Sequence, residues 1–221
     1  MRRIAFLYPN LPPKPSSRLK TWHWDGSNLE SSPNATDAPL AVGSLQKPFV
    51  VRAWAMTHPG QEAPRVACTS TSGCWHRGGH GEIGLARATA VSCNSYFRHL
   101  AMETPLALLA ASLHREGFRN RLHSPEAAIG LADGQPLLVI SPSALLAAYA
   151  DLVRTPWAVG EPIQRQLLAG LREAALTGTA GALKQRGYWA KTGTIPSPSG
   201  NPLQTCGLAL AVDDAGWAIL A

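Results

Sequence analysis

The sequence has little charge, few cysteines and no long apolar run. Charged residues make up 15% of the 221 residues, against about 25% in a typical globular protein. Coiled coils and disordered chains need more charge than this, so both classes are excluded. No apolar stretch approaches the roughly 20 residues that cross a bilayer. Residues 1–9 hold an apolar run shorter than the roughly 7–15 residues at the core of an export signal. We therefore expect a globular chain without a visible anchor or signal.

The remaining composition is that of a globular protein with a basic surplus. Hydrophobic residues make up 45% of the chain, which is enough to bury a core in one large domain or two small ones. The net charge of +6 suits an anionic environment, such as nucleic acid, cell-wall polymer or a membrane surface. Because the basic residues are dispersed along the chain, we predict no nucleic-acid site.

The amino-acid composition changes near residue 42. Residues 9–40 are rich in Pro, Ser, Asn and Asp, which predicts an irregular N-terminal arm over 1–41 and a folded domain over 42–221. Helices are predicted at 48–56, 85–91, 96–102, 104–117, 142–154 and 162–176. Strands are predicted at 188–195, 203–212 and 217–221, with a hairpin turn at 213–216. This order predicts an α+β fold, with a helical subdomain packed beside an antiparallel sheet.

The sequence stops within or just after the last predicted strand. An uncovered edge strand would invite mispairing with other chains. We therefore expect a C-terminally truncated chain or a fragment.

Three short patterns follow one another along the chain: Ser44-Leu45-Gln46-Lys47, Ser92-Cys93-Asn94 and Lys191-Thr192-Gly193-Thr194. The first is weak alone, since Ser17-Arg18-Leu19-Lys20 also matches Ser-x-x-Lys. Ser17 lies among prolines, however, whereas Ser44 opens an apolar helix. The third pattern is rarer, because Lys-[Ser/Thr]-Gly is expected about 0.06 times by chance in a chain of this composition. It also lies on a predicted strand.

Together the three patterns resemble the Ser-x-x-Lys, Ser-x-Asn and Lys-Thr-Gly motifs of penicillin-binding proteins and class A β-lactamases. The flanking sequence resembles the transpeptidase domain of high-molecular-weight penicillin-binding proteins, at segments 43–49, 74–81, 92–97, 141–150 and 178–194. The resemblance runs in the same order from about residue 42 to residue 221. It implies the β-lactamase/transpeptidase-like fold, here without the C-terminal helix that usually covers the sheet.

The resemblance implies a role for each motif residue. Ser44 would be the nucleophile, and Lys47 could act as its base because residues i and i+3 of a helix share a face. Lys47 must then be partly neutral, through burial or through the positive charge of Lys191. Ser92 would relay protons, and Asn94 would hold the substrate backbone and order Lys47.

The third motif is implied to bind substrate. The backbone N–H groups of Ser44 and Thr194 would form the oxyanion hole. Gly193 would let the substrate lie against the strand as an added strand. The hydroxyls of Thr192 and Thr194, with Lys191, would bind a terminal carboxylate.

The implied reaction is acyl transfer in peptidoglycan. Ser44 would attack the D-Ala–D-Ala bond of a stem peptide, release D-alanine and pass the acyl group to an amine, and β-lactams would bind covalently. No cofactor is expected. The expected partners are stem peptides, β-lactam antibiotics and a cell-wall glycosyltransferase or other domains of a parent protein. The substrate implies the periplasm or the extracytoplasmic face of the membrane.

Other functions fit the same motifs. A serine β-lactamase needs a positioned base, but no Glu-x-x-Leu-Asn pattern lies between Ser92 and Lys191, and only Glu126 and Glu161 qualify by position. A D,D-carboxypeptidase would pass the acyl group to water. A non-catalytic β-lactam or muropeptide sensor, or a scaffold, is the alternative outside enzyme chemistry.

The cysteines admit a further interpretation. Cys68, Cys74, His76 and His80 lie close enough in sequence to hold zinc, although the first spacing is wider than the usual two to four residues. We favour free thiols, with a Cys68–Cys74 disulfide as the alternative if the chain is exported. Cys93 is interpreted as a small buried filler.

Overall fold

A computed structural model describes residues 20–24, 28–132, 134–181, 188–195, 204–211 and 218–220, the last two ranges as backbone. Within this part of the chain, the main sheet has five antiparallel strands in the order β2-β1-β9-β8-β7. They are β1 (Trp22–Trp24), β2 (Leu29–Ser31), β7 (Tyr188–Ile195), β8 (Gln204–Ala211) and β9 (Ala218–Leu220). The predicted strand at 188–195 is confirmed, and β8 and β9 lie inside their predicted ranges. The predicted turn at 213–216 lies outside the described residues.

The helices precede most of this sheet in sequence. They are α1 (Lys47–Thr57), α2 (Leu85–Ala90), α3 (Asn94–Glu103), α4 (Leu106–Arg115), α5 (Pro125–Ala128), α6 (Pro142–Arg154) and α7 (Glu161–Leu176). Two small ribbons pair β3 (Leu40–Ala41) with β6 (Val139–Ile140), and β4 (Val66–Cys68) with β5 (Gly81–Ile83). The predicted α+β arrangement is confirmed. The pattern did not predict α5 or the ribbons, because elements of two to four residues are too short to show a period.

Helix α1 forms the centre of the helical part. Its residues are apolar on almost every side, and Phe49, Val50, Val51 and Trp54 are all buried. Helices α3, α4 and α7 pack around it. A helix that is hydrophobic all round belongs inside a core, which explains the unbroken apolar run after Lys47.

Local sequence signals define α6 and α7. The Ser141 side chain accepts a hydrogen bond from the N–H of Ala144, and Pro142 occupies the first turn of α6. This combination of cap and proline is typical of a helix start, so the predicted beginning of α6 is confirmed. Helix α7 packs against α2 and β7 through its apolar face, and it thereby joins the helices to the Lys-Thr-Gly strand.

Strands β1 and β2 lie in the segment for which the sequence predicted an irregular arm. Trp22 and His23 of β1 are buried, and β1 pairs with β2 on one side and with β9 on the other. Three-residue strands are too short to show an alternation of apolar and polar residues, and β9 is almost the whole chain away from β1 in sequence. The hydrophobic pattern therefore could not predict this pairing. Among the described residues, every helix is too short or too polar to cross a bilayer.

Candidate active site

The Ser44 segment is a 3₁₀ turn, Gly43–Gln46, that runs directly into α1. Ser44 is half-buried, whereas Leu45 and Lys47 are buried. The Tyr149 hydroxyl donates a hydrogen bond of 2.5 Å to the carbonyl oxygen of Leu45. The buried Gln46 side-chain amide donates to the carbonyl oxygen of Ala127. The turn is therefore held from two sides by buried hydrogen bonds, and the roles of Tyr149 and Gln46 had no signal in the motifs.

Two glycines let this turn touch β7. Gly43 has a φ of +54°, and a Cβ atom there would lie 2.4 Å from the carbonyl oxygen of Thr194. A Cβ atom at Gly193 would lie 2.3 Å from the carbonyl oxygen of Val42. Real Cβ contacts are longer than this, so the two backbones can meet only where both side chains are absent. This approach brings Ser44 beside the Lys-Thr-Gly strand.

Two buried lysines share the hydroxyl of Ser92. The Lys47 amine donates to the Ser92 carbonyl oxygen at 2.9 Å and to Asn94 Oδ1 at 2.6 Å, and it lies 3.3 Å from Ser92 Oγ. The Lys191 amine donates to Ser92 Oγ at 2.8 Å and to the Thr192 carbonyl oxygen at 2.7 Å. The structure thus brings together Lys47, Ser92, Asn94 and Lys191. Among the described residues, the hydrogen bonds of the Lys47 amine go to Ser92 and Asn94.

Burial sets the electrostatics of the lysine pair. Both side chains are 0% exposed, and in the described part of the chain neither has a carboxylate partner. Burial lowers the pKa of Lys47 to about 7. Burial and the charge of Lys47 lower the pKa of Lys191 well below its ordinary value. Because burial disfavours the charged form of an amine, both lysines give up their protons more readily than lysines exposed to water.

The Ser92 backbone is strained. Its φ of +54° is in the left-handed region, which a residue other than glycine rarely adopts. The turn is held by hydrogen bonds from the N–H of Ser92 to the Thr89 carbonyl and from the N–H of Cys93 to the Ala88 carbonyl. It presents both the carbonyl and the hydroxyl of Ser92 to Lys47. Such strain persists only where the surroundings enforce it, and it concentrates at functional sites.

The Lys-Thr-Gly strand lies at the edge of the described sheet. Its pairing partner there is β8, with Gly193 opposite Cys206. Lys191 and Gly193 are buried, Thr192 is half-buried and Thr194 is exposed. The threonine side chains are therefore more open to solvent than the lysine. The other edge of β7 is free among the described strands, and an extended peptide can pair with such an edge.

No family model matches the sequence, and no curated protein is detectably similar to it in sequence. Solved structures match its fold. The complex of the penicillin-binding protein PBP2 with MreC from Helicobacter pylori matches with a TM-score of 0.71 and 17% identity, over 98% of this chain and 57% of that chain. PBP2 of Pseudomonas aeruginosa in complex with WCK 5153 matches with a TM-score of 0.65 and 16% identity, over 83% of this chain and 54% of that chain.

A third match is the D,D-transpeptidase domain of the peptidoglycan glycosyltransferase from Eggerthella lenta. Its TM-score is 0.69 and its identity 16%, over 91% of this chain and 72% of that domain. The chain thus spans little more than half the length of the two PBP2 chains. At these identities the likeness concerns the fold, and the chain has the fold of penicillin-binding protein transpeptidase domains.

Proposed function

We propose that this chain is a serine acyltransferase that cross-links peptidoglycan and binds β-lactams covalently. The observation that carries the proposal is the pair of fully buried lysines, Lys47 and Lys191, that share the Ser92 hydroxyl, with Lys47 one helical turn after the half-buried Ser44. Burying two amines without a carboxylate is costly for a folded protein. A site that moves protons to and from a serine nucleophile accounts for that cost.

In the first step, Ser44 Oγ attacks the carbonyl carbon of the D-Ala–D-Ala bond. Its proton passes to the neutral amine of Lys47. The tetrahedral intermediate collapses, the carbon–nitrogen bond breaks, and the leaving D-alanine amine takes a proton through the Ser92 hydroxyl, which contacts both lysines. An ester on Ser44 remains. In the second step, the amine nitrogen of another stem peptide attacks the ester carbonyl carbon, the carbon–oxygen bond to Ser44 breaks, and the proton that the amine gives up passes to Ser44 Oγ.

Substrate would lie along the free edge of β7. As the resemblance implies, Gly193 would let the substrate backbone lie against the strand. The hydroxyls of the half-buried Thr192 and the exposed Thr194, with Lys191, would bind the terminal carboxylate. The backbone N–H groups of Ser44 and Thr194 would stabilise the oxyanion. The close contact between Gly43 and Thr194 supports this assignment, because it brings the two N–H groups into the same region.

The β-lactamase alternative has less support. A hydrolase needs a base that activates water against the ester. Of the two glutamates that qualified by position, Glu126 forms an ion pair with Arg98 at 3.0 Å and Glu161 pairs with Arg165. Both carboxylates are therefore engaged elsewhere, which favours transfer to an amine over rapid hydrolysis.

The proposed partners follow from the reaction. They are stem peptides, β-lactams and a cell-wall glycosyltransferase or other domains of a parent protein. PBP2 of Helicobacter pylori forms a complex with MreC, and a comparable protein partner is proposed for this chain. The substrate implies a place in the periplasm or on the extracytoplasmic face of the membrane.

Intact mass after incubation with benzylpenicillin tests the proposal. We expect one stable penicillin adduct on the purified chain and none on Ser44→Ala. Ser17→Ala is the matched control, because Ser17 also begins a Ser-x-x-Lys pattern, and it should acylate like the wild type. A persistent adduct indicates a transpeptidase, and an adduct that hydrolyses within minutes indicates a β-lactamase. A folded chain that takes no adduct would refute catalysis and favour a scaffold.

A further inference from the structure

Three cysteines and one histidine converge beside the Ser92 turn. The sulfurs of Cys68, Cys74 and Cys93 and a ring nitrogen of His80 all lie within 4.8 Å of one another. Cys68 ends β4, His80 precedes β5, and Cys93 immediately precedes α3. These are elements from three separate parts of the sequence, so their convergence is a product of the fold.

Three of the distances within the cluster are close to those of a tetrahedral zinc site, and all the ligand atoms lie within 4.8 Å of one another. Zn–S bonds of about 2.3 Å and Zn–N bonds of about 2.0–2.1 Å put the ligand atoms of a tetrahedron about 3.6–3.8 Å apart. Here Cys74 Sγ lies 3.9 Å from Cys93 Sγ, and His80 Nδ1 lies 3.4 Å from Cys68 Sγ and 3.5 Å from Cys74 Sγ. A disulfide would require about 2.05 Å between sulfurs. The three cysteines of the cluster are free thiols in the structure.

The surrounding backbone is built to hold these side chains. In the β4–β5 ribbon, Cys68 pairs with Gly81, the residue next to His80. Gly79 has a φ of +76°, and a Cβ atom there would lie 2.2 Å from the Cys68 carbonyl oxygen. The loop can therefore fold back onto Cys68 only with glycine at this position, and this return brings the imidazole to the sulfurs.

The contacts of the ligand atoms also favour a metal. Among the described residues, the polar neighbours of His80 Nδ1 are the sulfurs of Cys68 and Cys74. A thiol is a weak hydrogen-bond donor, so two thiols compensate poorly for burying an imidazole.

We propose that Cys68, Cys74, His80 and Cys93 bind one zinc ion as a four-coordinate structural site. Three thiolates and one imidazole are a common zinc ligand set, and soft sulfur ligands disfavour magnesium and calcium. Four protein ligands leave no position for substrate, so the ion holds structure.

This ligand set differs from the one that the sequence suggested. His76 is exposed, its Nδ1 bonds to the Gly79 carbonyl oxygen at 2.8 Å, and it is not one of the four clustered ligands. Cys93, interpreted from sequence as a filler, takes its place. Because Cys93 lies between Ser92 and Asn94, the ion fixes the strained turn that supplies the hydrogen-bond acceptors of Lys47.

Metal analysis of the full chain tests the site without reference to activity. After purification with zinc under reducing conditions and desalting, we expect about one zinc per chain by plasma mass spectrometry. Removal of zinc by a chelator and titration with Co²⁺ should produce the sulfur-to-cobalt charge-transfer and tetrahedral ligand-field absorption of a thiolate site. Cys74→Ser and His80→Ala should lower zinc affinity at least tenfold, and His76→Ala, a histidine of the same loop outside the cluster, should not.

Several results would overturn the site. These are a reduced, folded chain that retains no zinc, a cobalt complex without thiolate absorption, or equal zinc affinity in His80→Ala and His76→Ala. If the cysteine variants fail to fold, two measurements on the wild-type chain test the site. One is the cobalt spectrum, and the other is whether zinc protects three thiols from a thiol reagent. Unchanged thiol reactivity with zinc would refute coordination.

Discussion

Acylation of Ser44 should follow the protonation of Lys47. Only the neutral amine can accept the serine proton, and burial lowers the pKa of Lys47 to about 7. With that pKa, the neutral fraction is about one eleventh at pH 6, one half at pH 7 and ten elevenths at pH 8. The acylation rate constant should therefore rise about tenfold from pH 6 to pH 8 and level off above that. A lysine with the ordinary pKa of about 10.4 would instead give about a hundredfold rise over the same interval, without a plateau.

The assay is the rate of covalent attachment of a fluorescent penicillin, measured from pH 5.5 to pH 9.5 at constant ionic strength. Ser44→Ala, measured at each pH, supplies the background from direct chemical acylation. A plateau above pH 8 is the expected result. A rate that is flat from pH 6 to pH 8, or that still rises tenfold per pH unit at pH 9, would refute Lys47 as a buried base. Because the two lysines share Ser92, the measured midpoint belongs to the pair.

Three further predictions concern stability and packing. The unfolded chain binds more protons at Lys47 than the folded chain between pH 7 and about pH 10, so wild-type stability should rise with pH in this window. From pH 7 to pH 8.5, the free energy of unfolding of the wild type, measured with urea, should rise by about 1.5 kcal/mol relative to that of Lys47→Met. A stability difference between the two proteins that does not change with pH would contradict this prediction. Gly193→Ala places a Cβ atom 2.3 Å from the Val42 carbonyl oxygen and should slow acylation at least tenfold, whereas Gly181→Ala, with its nearest contact at 3.5 Å, should not. Equal rates in the two variants would show that the turn and β7 can separate freely. Tyr149→Phe leaves the buried Leu45 carbonyl without its 2.5 Å hydrogen bond and should cost about 1–3 kcal/mol; an unchanged urea midpoint would argue against that contact.

Much of the local structure could be predicted from the sequence. The apolar run after Lys47 predicted the central helix α1, the Ser141-Pro142 pair predicted the start of α6, and the change of period predicted β7. These signals are local, because a period, a cap or a turn involves residues a few positions apart. Short elements such as β1 and β4 carry no such signal, and they were not predicted.

The candidate site, too, could be predicted from the sequence only in part. The motifs identified Ser44, Lys47, Ser92, Asn94 and Lys191 as candidates, since their order and types already suggest acyl transfer. The hydrogen bonds were not visible, because Lys47 meets Ser92 across 45 positions and Lys191 meets it across 99. The competing Ser17 pattern lies outside the described residues.

The sequence alone determined the class of fold, the chemistry of the side chains and the positions of the longer helices and strands. Only the tertiary structure decided that the two lysines share one serine, that Ser92 adopts a left-handed backbone, and that the buried Cys93 lies next to Cys74. Each of these depends on how closely two distant backbones approach, as at Gly43 and Gly79. The distance between two such backbones depends on how whole helices and strands pack, and a local sequence pattern contains no information on that packing.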